Sequence, residues 1–188
     1  MHPIKHFQTI TAHRHLVMKN CFRVGLYGQG LLHDLSKYAP AEFWRGARYW
    51  QGSRSPNAAE REDIGYSVAW MHHKGRNKHH YEYWTDLDQT TRRYEAVPMP
   101  TRYLVESVMD RIAASRIYLG EAYNDGSALA YLDRAQESPL LHPTTYAQLR
   151  FLLTMLRDKG ESRTFAFLRE IVLKNVPFSD WHKWEKEY

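Results

Sequence analysis

Residues 6–28, HFQTITAHRHLVMKNCFRVGLYG, place Phe7, Ile10, Val17, Cys21 and Val24 at helical spacing. This segment reads as an amphipathic helix. His13 follows Ile10 by three residues and precedes Val17 by four, so it lies on the apolar stripe and should face the core. His15 is two residues further on, about 200° around the helix, and shares a second, weaker face with Met18 and Phe22. A lone histidine in His13's position is more often a core residue with a satisfied hydrogen bond than a ligand. Its meaning depends on the rest of the chain.

Outward from this helix, residues 30–37 form a short apolar piece around His33 and Asp34, and Pro40 then sits where a helix can begin. Residues 51–56 read as a loop. Asn57 and Glu60 look like a helix cap, and the spacing predicts one helix from Ala58 to about Lys74, with Gly75 as its stop. Residues 76–100 are polar, aromatic and irregular. Pro100 opens a helix bearing Leu104, Val105, Val108, Met109 and Ile112; Asn124-Asp125-Gly126 is a turn signal. His142-Pro143-Thr144 precedes a helix with Leu149, Leu152, Leu153 and Leu156 that stops at Lys159-Gly160, and Phe165 to Leu173 is a further helix. No period-2 pattern between hairpin turns is convincing. The expected fold is all-α, one domain over residues 1–188. Its metal-binding core spans about 6–120 and its C-terminal packing helices about 143–175.

Composition narrows the chemistry. With 188 residues, 43% hydrophobic and 25% charged, the chain has a globular balance and can bury a sizeable core. The single cysteine, Cys21, excludes an intrachain disulfide and a thiolate zinc site, so a metal here would need His, Asp and Glu. No apolar run reaches the ~20 residues of a membrane span, and residues 1–5 show no apolar signal region; a cytoplasmic location is expected. The formal charge of +5 suits anionic partners, with nucleic acid only weakly indicated. The 11 histidines stand out because seven of them fall between positions 13 and 80.

Three groups could carry chemistry. His33-Asp34 sits in an apolar stretch, where a carboxylate would be costly unless paired or metal-bound. Both side chains reach one ion only if the local backbone turns both inward. His72, His73, His79 and His80 fall within nine positions around Gly75; if exposed, they require no explanation, but His is the commonest metal-ligand side chain. Asp110 lies in a helix, with Ala113 and Ala114 leaving room one turn on; alone, it reads best as a salt-bridge partner of Arg111 or Arg102.

In chain order, His13, His33-Asp34, the histidine cluster and Asp110 resemble the H…HD…D pattern of the HD-domain superfamily of metal-dependent phosphohydrolases, which fold as helical bundles. Leu31-Leu32-His33-Asp34-Leu35-Ser36-Lys37 is similar to the LLHDIGK stretch of the HD subgroup that cleaves cyclic dinucleotides. Within the superfamily, His33 to Phe43 and Ala69 to Trp84 resemble a branch of short bacterial proteins with runs like HDLSKYSP-EF and AW-HHKGRN-HH-EYW. The GYP signature of the cyclic-dinucleotide subgroup is missing, and His73 lies far closer to His79-His80 than it would there. Cleavage of cyclic dinucleotides is therefore not implied.

The resemblance implies that His13, His33, Asp34 and Asp110 hold one ion. Asp34 would reach a second, completed by His73 (preferred to His72), His79 and His80. The ions would be one or two divalent transition metals, Mn, Fe, Co, Ni or Zn, since imidazole and carboxylate donors disfavour Ca and Mg. Lys37 and Arg76 are expected to neutralise substrate phosphate; Asn77 would position substrate or orient a histidine, and Glu82 would fix an imidazole tautomer. Tyr81, Tyr83 and Trp84 read as core or rim aromatics rather than a base-stacking surface. The expected reaction is hydrolysis of a phosphomonoester or phosphodiester, with a nucleotide as the favoured substrate. The competing readings are a di-iron oxygenase of HD type and a non-catalytic, metal-stapled helical module. A homo-oligomer is compatible with the apolar faces beyond residue 143.

Overall fold

The structure, a computed structural model, describes residues 1–134 and 138–188. The chain folds as one all-α unit. In order come α1 (Pro3–Arg23), α2 (Tyr27–Leu32), α3 (Pro40–Tyr49), α4 (Pro56–Ile64), α5 (Val68–Lys74), α6 (Thr101–Leu119), α7 (Ser127–Asp133), α8 (Pro143–Phe167) and α9 (Trp181–Trp184), with short 3₁₀ turns in several of the connections and a π-helical turn, Leu168–Val172, continuing α8. A two-stranded antiparallel hairpin, β1 (Thr85–Leu87) with β2 (Tyr94–Ala96), interrupts the helices, Asp86 opposite Glu95.

Proline at the first turn starts α1, α3, α4 and α8, where its missing N–H costs nothing. α1 ends earlier than its apolar pattern suggests, because Gly25 takes φ 87° and turns the chain into α2. The expected single helix over 58–74 is two. Gly65 (φ 83°) closes α4, and the Ser67 hydroxyl accepts from the Trp70 amide to open α5. Glu60 does not cap its own helix. Its carboxylate accepts from the Ser67 hydroxyl (2.6 Å) and the Ala69 amide (3.3 Å), while Ser55 caps α4. The stop at Gly160 is real. Its φ 76°, ψ 173° is open only to glycine and kinks α8 before Phe165.

α6 is the central helix. Leu104 to Met109 are all buried, which a surface helix with one apolar stripe does not show. It packs against α1 on one side and against α7 and α8 on the other. Val17, Cys21, Val108, Met109, Ile112, Leu149, Leu153, Phe167 and Trp181 belong to one continuous core, so the C-terminal helices complete the core that holds α1 and α6. α3 approaches α1 closely at Gly46, where an added Cβ would collide with the buried His6 ring. The leucines flanking the His-Asp pair are not core: Leu31, Leu32 and Leu35 are about half exposed or more, while His33 and Asp34 are buried. Among the described residues no helix is long and apolar enough to cross a membrane.

Candidate metal centre

The chain from α2 to the next 3₁₀ turn carries the pair that anchors the site. His33 ends α2 with extended backbone, and Asp34 follows at φ 53°, ψ 25°, the left-handed region. Aspartate tolerates that conformation better than most residues, at a cost of about 1–3 kcal/mol. The bend brings two adjacent side chains to one point, with His33 Nε2 3.4 Å from Asp34 Oδ2.

Helix α1 brings His13 to the same point and α6 brings Asp110. His13 Nε2 lies 3.0 Å from Asp110 Oδ1, 3.5 Å from Asp34 Oδ2 and 3.4 Å from His33 Nε2. Two donors about 2.0–2.2 Å from one ion lie about 3 Å apart at octahedral angles and about 3.4 Å apart at tetrahedral ones. The spacing of His13, His33, Asp34 and Asp110 therefore fits one central cation. The segment after α5 supplies a second group on the other oxygen of the same aspartate. Asp34 Oδ1 is 3.3 Å from His73 Nε2 and 3.5 Å from His79 Nε2, and His80 Nε2 is 2.9 Å from His73 Nε2. Both sets offer four donors close enough to hold a metal ion.

The fit is also chemical. Asp34 is fully buried, yet neither of its oxygens accepts a well-directed hydrogen bond, and His79 Nε2 is likewise buried without a partner. Ring nitrogens and the Lys37 ammonium, 2.6 Å from Oδ2, crowd around the carboxylate instead. Burial opposes the charged form of Asp34, but His33, Lys37 and His73 outweigh it and hold its pKa well below the ordinary range. Burial is likewise overcome at Asp110, whose pKa His13 and His33 hold well down. At His33, Asp34, Asp110 and Glu106 overcome burial and raise the pKa well above normal. Burial, with His79 and His73 beside it, keeps His80 neutral. Burying two carboxylates side by side is costly, and a divalent cation would displace the proton at His33 and neutralise them.

Outer carboxylates orient the imidazoles. Glu106 Oε1 lies 2.9 Å from His33 Nδ1 and 3.2 Å from His79 Nδ1, so one oxygen accepts from a ring in each set. Glu42, on α3, is 2.9 Å from His73 Nδ1 and 2.5 Å from His72 Nδ1. Both contacts place the proton on Nδ1 of His33, His79 and His73 and free Nε2 for a cation. Glu106 and Asp110, four residues apart along α6, share its face toward the site.

A model of a family of unknown function, DUF5662, matches residues 2–155. The chain belongs to that family. No curated protein and no solved structure matches it. The matched span of DUF5662 contains both donor sets and both outer glutamates, and it ends within α8.

The expected ligands His13, His33, Asp34, His73, His79, His80 and Asp110 all converge. His72 turns away to Glu42, and His15 is exposed on the far side of α1. Asn77 is an orienting residue: its amide donates to Ser36 Oγ and to the His73 carbonyl, both at 2.8 Å. Arg76 is exposed, donates to the His72 carbonyl, and faces a hollow behind His79 rather than the converging nitrogens. Glu82 does not serve the imidazoles; Glu42 and Glu106 do. Burial raises the Glu82 pKa, and its Oε2 is buried without a partner. Glu106 was the legible omission, four residues before Asp110 on the same helical face. Glu42 reaches the site through the packing of α3 on α1 and α5.

Proposed function

We propose that the chain is a metal-dependent hydrolase of phosphate esters, acting through two divalent ions. The observation that carries this reading is the division of Asp34: Oδ2 faces His13, His33 and Asp110, and Oδ1 faces His73, His79 and His80. A carboxylate shared in this way would serve both ions of a two-metal site, and the order of donors on a helical core resembles the HD superfamily. Bound ions would supply a nucleophilic water near neutral pH and Lewis-acid stabilisation of a phosphoryl group.

The chain's own residues do the rest. Each set brings four protein donors, so an ion limited to tetrahedral geometry would keep no position for water. Metals that accept five or six ligands, such as Mn, Fe, Co or Ni, leave room for solvent and substrate. The side of entry is marked by the least buried members: Asp110 (15% exposed), the half-buried His80, and Lys37 (28%). Burial works against the Lys37 ammonium, but Asp34 and Asp110 hold its pKa above normal, so it stays charged. In this reading Lys37 would receive a phosphate oxygen, and a nucleotide is the substrate class we favour.

The test uses the chain loaded separately with Mn, Co, Ni and Fe against p-nitrophenyl phosphate, bis-p-nitrophenyl phosphate and nucleoside monophosphates. Turnover that chelation abolishes is expected. Lys37→Ala in the loaded protein should keep its metal and lose about 10²-fold in kcat, the order expected for removing one charge-stabilising donor. Oxygen consumption by the iron form without ester cleavage would contradict hydrolysis.

A further inference from the structure

Two hollows of about 350 and 690 Å³ lie along one seam beside the metal centre. One wall of the seam is chain from Val24 to Leu32; the other is the first turns of α6, Pro100 to Glu106. Arg102 borders both hollows, and the Gln29 side chain crosses the seam between them to donate to the Arg102 carbonyl at 3.1 Å, so the two lie end to end along one bridged groove. Each is the size of a small-ligand pocket.

Charge follows the groove. Arg76 and Lys78 stand at its first hollow, Arg102 at the junction, and Arg169 and Lys174 at the second. Arg169 is neutralised by Glu170 at 2.6 Å. Among the described residues, Arg76, Lys78, Arg102 and Lys174 have no carboxylate within ion-pair distance; Arg76 donates to a carbonyl, and Lys78 stands over the rings of Tyr83 and Tyr103 at 5.6 and 5.8 Å. The one carboxylate in the lining is Glu106, already held by His33 and His79. α6 begins in the seam with no side-chain cap and no acidic residue in its first turn, which adds to the positive potential. The half-buried Tyr103 lines the first hollow, with its ring 5.5 Å from Trp84.

We propose that this groove holds a stretch of single-stranded nucleic acid. Cations without carboxylate partners along a track suit a run of phosphates, and Tyr103 at one end offers a base a stacking face once Lys78, which stands over its ring, turns to a phosphate. A lone phosphate would engage one end only and leave the remaining cations unused. The groove reaches the outer side of His33 and His79, not the converging nitrogens, so the inference does not depend on the proposed hydrolysis.

Fluorescence anisotropy with labelled dT12 and rU12 on the wild-type chain tests it, with oligonucleotide integrity checked on a gel; the two probes separate DNA from RNA. Binding of at least one is expected, with a slope of log K against log salt of about −3, from about −0.7 for each of four phosphates neutralised. Arg102→Ala and Lys78→Ala, at exposed positions, should each bind about tenfold more weakly and reduce the slope by about 0.7. Tyr103→Leu should weaken binding about tenfold at an unchanged slope. Failure of both probes to bind, a slope near zero, or unchanged affinity in both cation variants would overturn the proposal. So would adsorption to phosphatidylserine vesicles by a chain that ignores both oligonucleotides. Binding by a chain that cleaves no ester leaves the groove standing and counts against hydrolysis. Ester cleavage without oligonucleotide binding removes the groove alone.

Discussion

The two donor sets around Asp34 are built differently. The first gathers His13 from the middle of α1, Asp110 from the central helix α6 and His33 from the end of α2, nearly one hundred residues apart along the chain. The second takes His73 from the last turn of α5 and His79 and His80 from the loop that follows. In the first set the donors meet only after α1 has packed on α6. In the second they are local, and the loop needs only to close on Asp34. A cation in the first set should therefore stabilise the whole fold, because its ligands do not assemble in the unfolded chain, while one in the second should mainly order a segment.

The largest effect tests what the sets share. Asp34→Asn should cost metal-loaded protein about 4 kcal/mol or more, the linkage expected at a thousandfold excess over Kd, and chelator should then have no further effect on the denaturation midpoint. A midpoint that still falls on chelation would show that cations bind without Asp34. Asp110→Ala should remove one metal equivalent and about 3–4 kcal/mol, since it empties only the long-range set. If it cost no more than a loop substitution, the distinction between the sets would fail.

The third test concerns the helix that carries His13. His6 is buried against Gly46, and burial, with Lys37 nearby, lowers its pKa to about 4. The neutral form is the one that folds. Its contribution is therefore intact above the unfolded value of about 6.5 and is lost as pH falls toward 4, by up to ~3 kcal/mol. Chemical denaturation of wild type and His6→Leu across that window should show the wild type losing more, by that amount. Parallel pH profiles would mean that His6 titrates freely. The smallest effect belongs to the second set: His80→Ala should lose one metal equivalent but under ~1.5 kcal/mol, because its loop leaves the core untouched.

The same contrast explains what could be read from the sequence. His13 was legible because the stripe through Ile10 and Val17 faces α6, and the helical positions of Asp110 and of Leu149 to Leu156 were legible for the same reason. The break at Gly65 was written in Gly65 and Ser67, a helix stop and a cap two residues apart, but the Asn57 and Glu60 pattern obscured it. Asp34's left-handed backbone has no sequence signature, since an aspartate there looks like any other. Glu42's role depends on where α3 lands, and Glu82 lost its expected role to it for that reason. The exposed Leu31, Leu32 and Leu35 show the limit of a hydrophobic run as a guide to burial: the two polar residues among them are the ones inside.

The central claim is that one buried aspartate joins two cation sites, and metal content tests it most directly. Elemental analysis by ICP-MS of the untagged wild type and Asp34→Ala, each reconstituted with Mn, Fe, Co, Ni or Zn and desalted, should give two equivalents in the wild type and none in the variant. No metal in either protein, or the same content in both, would contradict the account.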